Sequence, residues 1–201
     1  GEWKYFFPNG SLRSSGSYSN GKKTGDWKYY FENGKLEQSG KYDNNLISGK
    51  WLWYYLNGIV LREEYYRKGK LDGHYIENDS LGNVVLEGDF EDGLKQGKWY
   101  RFINDHKEAG EYIDDERNGL WTFTHSNGNK MFEGTFELGV AVGQHDYFYS
   151  NGKSEMRGSY VGGELDGDWM YFDEDGNYIN TVTYKGGKLY KVDGIKLKER
   201  K

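Results

Sequence analysis

The chain has no cysteine, which excludes disulfides and thiolate metal sites and leaves reducing and oxidising compartments equally open. It has one proline against 30 glycines, a balance suited to many tight turns and not to extended proline linkers. Leucine, isoleucine and valine are sparse. Apolar residues make up 35% of the 201, and aromatic residues alone 18%, so any core must be built mainly from rings. No apolar run approaches the ~18 residues of a membrane-spanning helix. Neither sign of charge dominates: the net charge is −5, with acids and bases interspersed. Nucleic-acid binding needs a basic stripe, so no nucleic-acid partner is expected. The one basic cluster, KLKERK at the end, reads as a solubilising tail. The chain opens on Gly1, not Met. We read this as a processed or trimmed chain, with any targeting signal outside it and the compartment undetermined.

What is present is a period. Gly1, Gly25, Gly49, Gly73 and Gly97 are spaced by 24 residues, and after a 22-residue unit the series resumes at Gly119, Gly143 and Gly167. Eight units follow: 1–24, 25–48, 49–72, 73–96, 97–118, 119–142, 143–166 and 167–190, with a basic tail at 191–201. A fixed period in this range marks a repeat architecture. The expectation is therefore one repeat domain over 1–190 with no internal boundary.

Each unit reads as a β-hairpin. Asn-Gly stands at positions 9 and 10 of the unit in Asn9-Gly10, Asn33-Gly34, Asn57-Gly58, Asn127-Gly128 and Asn151-Gly152, and Asp175-Gly176 replaces it in the eighth. Flanked by aromatic alternation, this pattern predicts a two-residue type I′ turn. Such a turn sets position 8 against 11, 7 against 12, 5 against 14 and 3 against 16. Position 3 is Trp in six units and position 16 is Gly in five, so Trp27 is expected to lie across Gly40 of its own hairpin. Alternation then puts Trp27, Tyr29, Phe31, Leu36 and Tyr42 on one face and Asp26, Lys28, Glu32, Lys35, Glu37 and Lys41 on the other. Aromatics at position 6 (Tyr30, Tyr54, Phe102 among them) form a thin stripe on the charged face. In the short fifth unit the turn is expected at Asn104-Asp105, which keeps every side chain on its face.

The expected fold is all-β: an elongated array of about eight 24-residue antiparallel hairpins in one meander sheet. That sheet must twist and curl over its aromatic side, or cover that side by self-association or with a partner. Its edge strands are a second route to self-association.

The unit G-x-W-x-Y-Y-x-x-N-G…G-x-Y-x-x-G, seen in GDWKYYFENGKLEQSGKYDNN, GLWTFTHSNGNKMFEGTFELG and GDWMYFDEDGN, resembles the MORN-repeat variant of bacterial proteins, including YwqK-type antitoxins. The resemblance spans nearly the whole chain. It implies hairpins joined into a twisted sheet, and a protein that neutralises a toxin by binding it. The fourth unit departs from the pattern, with Tyr75 in the Trp place and Glu77 and Asp79 where other units carry rings. WYYLNG at Trp53–Gly58 also resembles cell-wall or choline-binding repeats, whose rings cage a ligand, but those repeats are shorter and lack the Gly-x-Tyr arm.

No catalytic, cofactor or metal constellation emerges. The four histidines occupy unrelated unit positions, and DEDGN at Asp173–Asn177 has its Gly misplaced for a calcium loop. A non-enzymatic scaffold for protein–protein binding is the function expected. A ligand-binding module for glycan, choline or lipid head groups is the alternative. The candidate partner-binding residues are those that break the repeat. Arg62 should face Trp53 as a cation–π pair, Glu64 takes the Gly place opposite Trp51, and Glu77, Asp79 and Arg101 put charge on the aromatic face. Tyr30, Tyr54 and Phe102 on the opposite face complete the set.

Overall fold

The computed structural model describes residues 1–103 and 105–196. Among them are eighteen strands joined by turns, and no helix. No helix is therefore long and apolar enough to cross a membrane. The chain divides into two compact units, one covering Gly1–Trp99 and one starting at Tyr100, with the strand Leu94–Ile103 running through the boundary. Each unit is an antiparallel meander in which a strand pairs with the next in sequence. The hairpin array read from the period is the observed fold.

The turns differ from expectation in an instructive way. At Asn-Gly only the glycine has positive φ, 85° at Gly10 and 82° at Gly34. The position-10 N–H donates to the position-7 carbonyl (Gly10 to Phe7, 2.9 Å), and the position-7 N–H to the position-11 carbonyl (Phe7 to Ser11, 2.8 Å). This is a type I turn followed by a glycine bulge, not type I′. The asparagine side chain closes it by accepting from the position-11 N–H, as Asn33 Oδ1 does from Lys35 at 3.0 Å. Type I′ turns do occur, but at the links from one hairpin to the next, where both central residues have positive φ: Asn20-Gly21, Asn44-Asn45 and Asp92-Gly93.

The pairing expected far from the turn holds: Trp3 faces Gly16, Tyr5 faces Ser14 and Trp27 faces Gly40. Close to the turn the register slips by one, and Tyr30 pairs with Leu36. Leu36 therefore shares the face of Tyr30 and not that of Trp27, because the extra residue at position 13 reverses parity. The position-6 stripe thus gains an aliphatic neighbour on the charged face.

The largest correction concerns the tryptophans. Trp27 is in register with Gly40, but its ring covers Gly16 of the preceding repeat, and Trp51 is the ring over Gly40. Trp99 covers Gly88, Trp121 covers Gly110 and Trp169 covers Gly158. The cause is a bulge. Between the pairs Ser15–Lys28 and Ser17–Thr24, the single Gly16 faces three residues, Gly25 to Trp27, and Gly25 turns the chain at φ 66°. The bend tips the indole across the neighbouring strand and aims its N–H at the carbonyl after the glycine. Trp27 Nε1 donates to Ser17 at 3.2 Å, Trp51 to Lys41 at 3.0 Å and Trp121 to Glu111 at 3.1 Å. The covered rings are 1–2% exposed. His145, in the tryptophan place of the seventh repeat, does the same: it covers Gly134, and its Nε2 lies 3.0 Å from the Thr135 carbonyl, which fixes the N–H on Nε2. His145 is thus a packing substitute for tryptophan.

Position-18 rings stand edge-on to these tryptophans, Tyr18 to Trp27 at 5.2 Å and Tyr42 to Trp51 at 5.1 Å. Lys23 caps the first cluster, its Nζ 4.4 Å from the Trp27 ring centre and donating to the Tyr29 hydroxyl at 2.8 Å. Burial, then the hydrogen bond with Tyr29, pushes the Tyr42 hydroxyl from 10.0 up to about 12, and burial with the Tyr184 contact pushes Tyr171 likewise to about 12. The folded chain holds these protons more tightly than the unfolded chain. Their contribution is therefore complete below pH ~10 and lost as pH rises towards about 12. Unfolding midpoints in urea should accordingly fall across that window, and a midpoint constant to pH 12 would contradict the burial of these hydroxyls.

Lys191–Lys196, assigned to the tail by the repeat count, form the end of the strand Lys188–Val192, a turn at Asp193-Gly194 and the short strand Ile195–Lys196. Residues 197–201, and Asn104 of the expected fifth-repeat turn, lie outside the described residues.

Candidate functional site

In the first unit, the strand Val60–Arg67 carries the principal break in the ring-on-glycine series. Glu64 occupies the glycine place, faces Trp51 on one side and Tyr75 on the other, and is 3% exposed. Its side chain fills the space an indole would need, and the next repeat accordingly carries the slimmer Tyr75, 7% exposed. The two departures are one packing solution. A buried carboxylate must be paired, and here Arg62 Nη1 lies 3.3 Å from Glu64 Oε1 while the Tyr66 hydroxyl donates to Oε2 at 2.7 Å. Arg62 also stands 5.2 Å from the Trp53 ring centre, the cation–π pair expected from the register, and directly opposite Glu77. Glu77 Oε2 accepts from the Tyr75 hydroxyl at 2.7 Å.

Burial works against the Arg62 charge, but Glu64, then Tyr75 and Glu77, hold its pKa above the ordinary arginine value. Burial first, and the carboxylate each one bonds second, push the hydroxyls of Tyr66 and Tyr75 well up. Arg62, Glu64 and Glu77 thus form a connected network set among rings. Asp79 belongs to a different structure: its carboxylate closes its own turn, accepting from the N–H groups of Leu81 at 2.8 Å and Asn83 at 2.9 Å. Those bonds, with the Asn83 side chain foremost, hold its pKa below the usual carboxylate range. Tyr30 and Tyr54 are half-buried on the opposite face, paired with Leu36 and Val60.

The coupling of Glu64 to Tyr75 is testable. Tyr75→Trp alone should lower stability by about 1–3 kcal/mol by crowding Glu64, whereas Tyr75→Trp with Glu64→Gly should recover most of that loss in urea unfolding. Simple additivity of the two changes would contradict the shared packing.

In the second unit Arg101 and Phe102 are exposed, and Lys107 Nζ stands 5.4 Å from the Phe102 ring centre. The unit also holds a cavity of about 430 Å³ walled by Phe123, Phe132, Phe136 and Tyr147, with Arg117 and Glu155 among its polar lining. Phe132 is the key residue. It stands at position 14, where other repeats carry Ser14, Gln38 or Arg62, and it turns inward until 5% exposed, 4.7 Å from Phe123 and 5.0 Å from Tyr147. In the first unit position 14 of the third repeat is Arg62, which pairs with Glu64 and stands over Trp53. Here the space beside Phe132 is open. Arg117 lies over Trp121 at 4.4 Å and reaches Glu108 at 3.4 Å. Burial, then Tyr160, pushes the Tyr147 hydroxyl up. The legible sequence signal was a large ring at position 14 beside a histidine in the tryptophan place.

Each unit is a hairpin-repeat array with an aromatic face, interrupted in the first by the Arg62–Glu64–Glu77 network and in the second by the cavity beside Phe132. The family model described as the MORN repeat variant matches residues 1–20, 23–44, 47–70 and 165–185. MORN repeats are in general modules that bind proteins or membranes. No curated protein matches the chain.

Proposed function

We propose that the chain is a non-enzymatic scaffold that binds a protein partner, and that it serves as an antitoxin or immunity protein neutralising a toxin by occupying it. One observation carries the reading: Trp27, Trp51, Trp99, Trp121 and Trp169 are closed over glycine strands, while the cavity beside Phe132 stays open at a size that takes a partner's anchoring side chain. Arg62, its side chain 36% exposed, and Glu77 present the polar part of the first unit's surface, with Glu64 and Asp79 holding the strand and turn beneath them. Arg101 adds a charge in the second unit. The repeat scaffold collects binding energy over an extended surface. A module for glycan, choline or lipid head groups is the second reading, favoured by the aromatic walls of the same cavity.

The test begins with a partner captured on the immobilised chain from native lysate, then purified. The triple variant Arg62→Ala, Glu77→Ala, Arg101→Ala should bind it at least about tenfold more weakly; because losing Arg62 strips the buried Glu64 of its counterion, binding is compared at a temperature where the far-ultraviolet spectra of variant and parent coincide. Undiminished affinity would move the surface to Tyr30, Tyr54 and Phe102. The antitoxin role requires that the partner expressed alone arrest growth and that coexpression of the chain restore it. A partner harmless by itself contradicts that role.

A further inference from the structure

The cavity beside Phe132 has walls of ring faces and a single carboxylate, Glu155, in its lining. The lining's guanidinium is already engaged: Arg117 reaches Glu108 at 3.4 Å and lies over the Trp121 ring at 4.4 Å. His125 has its Nε2 3.4 Å from the Phe148 carbonyl, and Lys130, 5.7 Å from the Phe148 ring centre, is paired with Glu133. Glu155 is exposed and, among the described residues, forms no ion pair. Its charge is felt at Tyr149, another lining residue, whose hydroxyl is held above its ordinary pKa by burial first and then by the Glu155, Glu174 and Asp173 carboxylates. The field at this end is negative, and ring faces add to it through their quadrupoles.

Elsewhere the chain fills such surroundings with its own cations. Lys23 lies over Trp27, Tyr29 and Tyr42 at 4.4–5.3 Å from their ring centres. Arg62 joins ring and carboxylate, 5.2 Å from the Trp53 centre and 3.3 Å from Glu64. Lys23 and Arg117 each stand opposite the position-18 ring of their own repeat, Tyr18 and Tyr112. In the sixth repeat that place is Ala141, opposite Phe136. Ring faces and a carboxylate are present at the cavity, and the sixth repeat supplies no cation from that place to meet them.

We propose that the cavity beside Phe132 receives an arginine side chain of the protein partner, its guanidinium stacked on the ring faces and bonded to Glu155. This rests on the reading of the cavity as an anchoring site and adds the chemistry of the anchor. Arginine suits the site better than lysine, because a planar guanidinium stacks on rings and forks onto a carboxylate, and an ammonium does neither. An apolar anchor would strip water from Glu155 without replacing it, and an acidic anchor would be repelled by it.

The probes are a blocked peptide, Gly-Arg-Gly, and its citrulline twin, which keeps the shape of the side chain and loses the charge. The reporter is the methyl resonance of Met131, one of three methionines in the chain and part of the cavity lining. Added to the full chain at constant pH and salt, the arginine peptide should shift that resonance saturably at millimolar concentration. The citrulline peptide should bind at least about fivefold more weakly. Glu155→Gln should weaken the arginine peptide about three- to fivefold, and the variant should fold normally because Glu155 is exposed. Glu37→Gln, at the same repeat position in the first unit, should leave binding unchanged. Equal binding of the two peptides, or tighter binding of Gly-Glu-Gly or Gly-Phe-Gly, overturns the proposal. If the arginine peptide fails while the captured partner still shifts Met131, the anchoring site stands and the arginine is wrong. A partner that binds without moving Met131 removes the anchoring site itself, whatever the peptides do.

Discussion

Trp51→Ala should cost about 3–5 kcal/mol of stability, the range for emptying a buried aromatic site, while Trp3→Ala should change it little. Both residues occupy position 3 of a repeat and both face their own hairpin partner. They differ in what lies over them: Trp51 is 1% exposed beneath Tyr42 and over Gly40, and Trp3 is 55% exposed. Trp51→Ala also leaves the Lys41 carbonyl, which accepts from the indole at 3.0 Å, without that donor inside the array. Urea unfolding of the two variants side by side checks the difference. Equal losses would mean that the hairpin partner, and not the preceding repeat, supplies the contact.

Gly40→Val comes next in size, at about 3 kcal/mol, the upper end for overpacking a filled site. The backbone at Gly40 is compatible with a side chain, because its φ is not positive, so the cost is steric. The identity of the disturbed ring matters more than the magnitude. The added atoms meet the Trp51 ring, so Trp51 emission should shift to the red and become quenchable by iodide, with Trp27 unaffected. Single-tryptophan backgrounds would separate the two signals, and exposure of Trp27 instead would contradict the crossing of the indole to the neighbouring repeat.

The sequence disclosed the period, the hairpins and the Trp27–Gly40 register because each is written in residue identities at fixed spacing. It did not disclose which glycine each ring covers. Register names the residue opposite on each side but not the tilt of the ring, and the tilt comes from the bulge at Gly25, a backbone feature that a glycine only permits. The turn type was misread for a related reason. Asn-Gly suits type I′ and type I with a glycine bulge equally well, and the asparagine side-chain bond, as in Asn33 to Lys35, decides for the latter.

At the candidate site, Arg62 against Trp53 was legible because direct cross-strand partners follow from register. The link between Glu64 and Tyr75 was not, since it crosses from one repeat to the next through a contact whose direction was still unknown. Asp79, read from sequence as a partner-binding charge on the aromatic face, is a turn residue bonded to Leu81 and Asn83. The cavity beside Phe132 was marked in sequence only by a large ring at position 14, and sequence shows which ring stands at a position, not whether it points inward.

The most direct measurement is a set of nuclear Overhauser contacts to the Gly40 α-protons in the native chain. Strong contacts from the Trp51 indole, with those α-protons shifted upfield by its ring current, are the result expected if each ring closes over the repeat before it. Contacts from the Trp27 indole in their place would contradict that architecture.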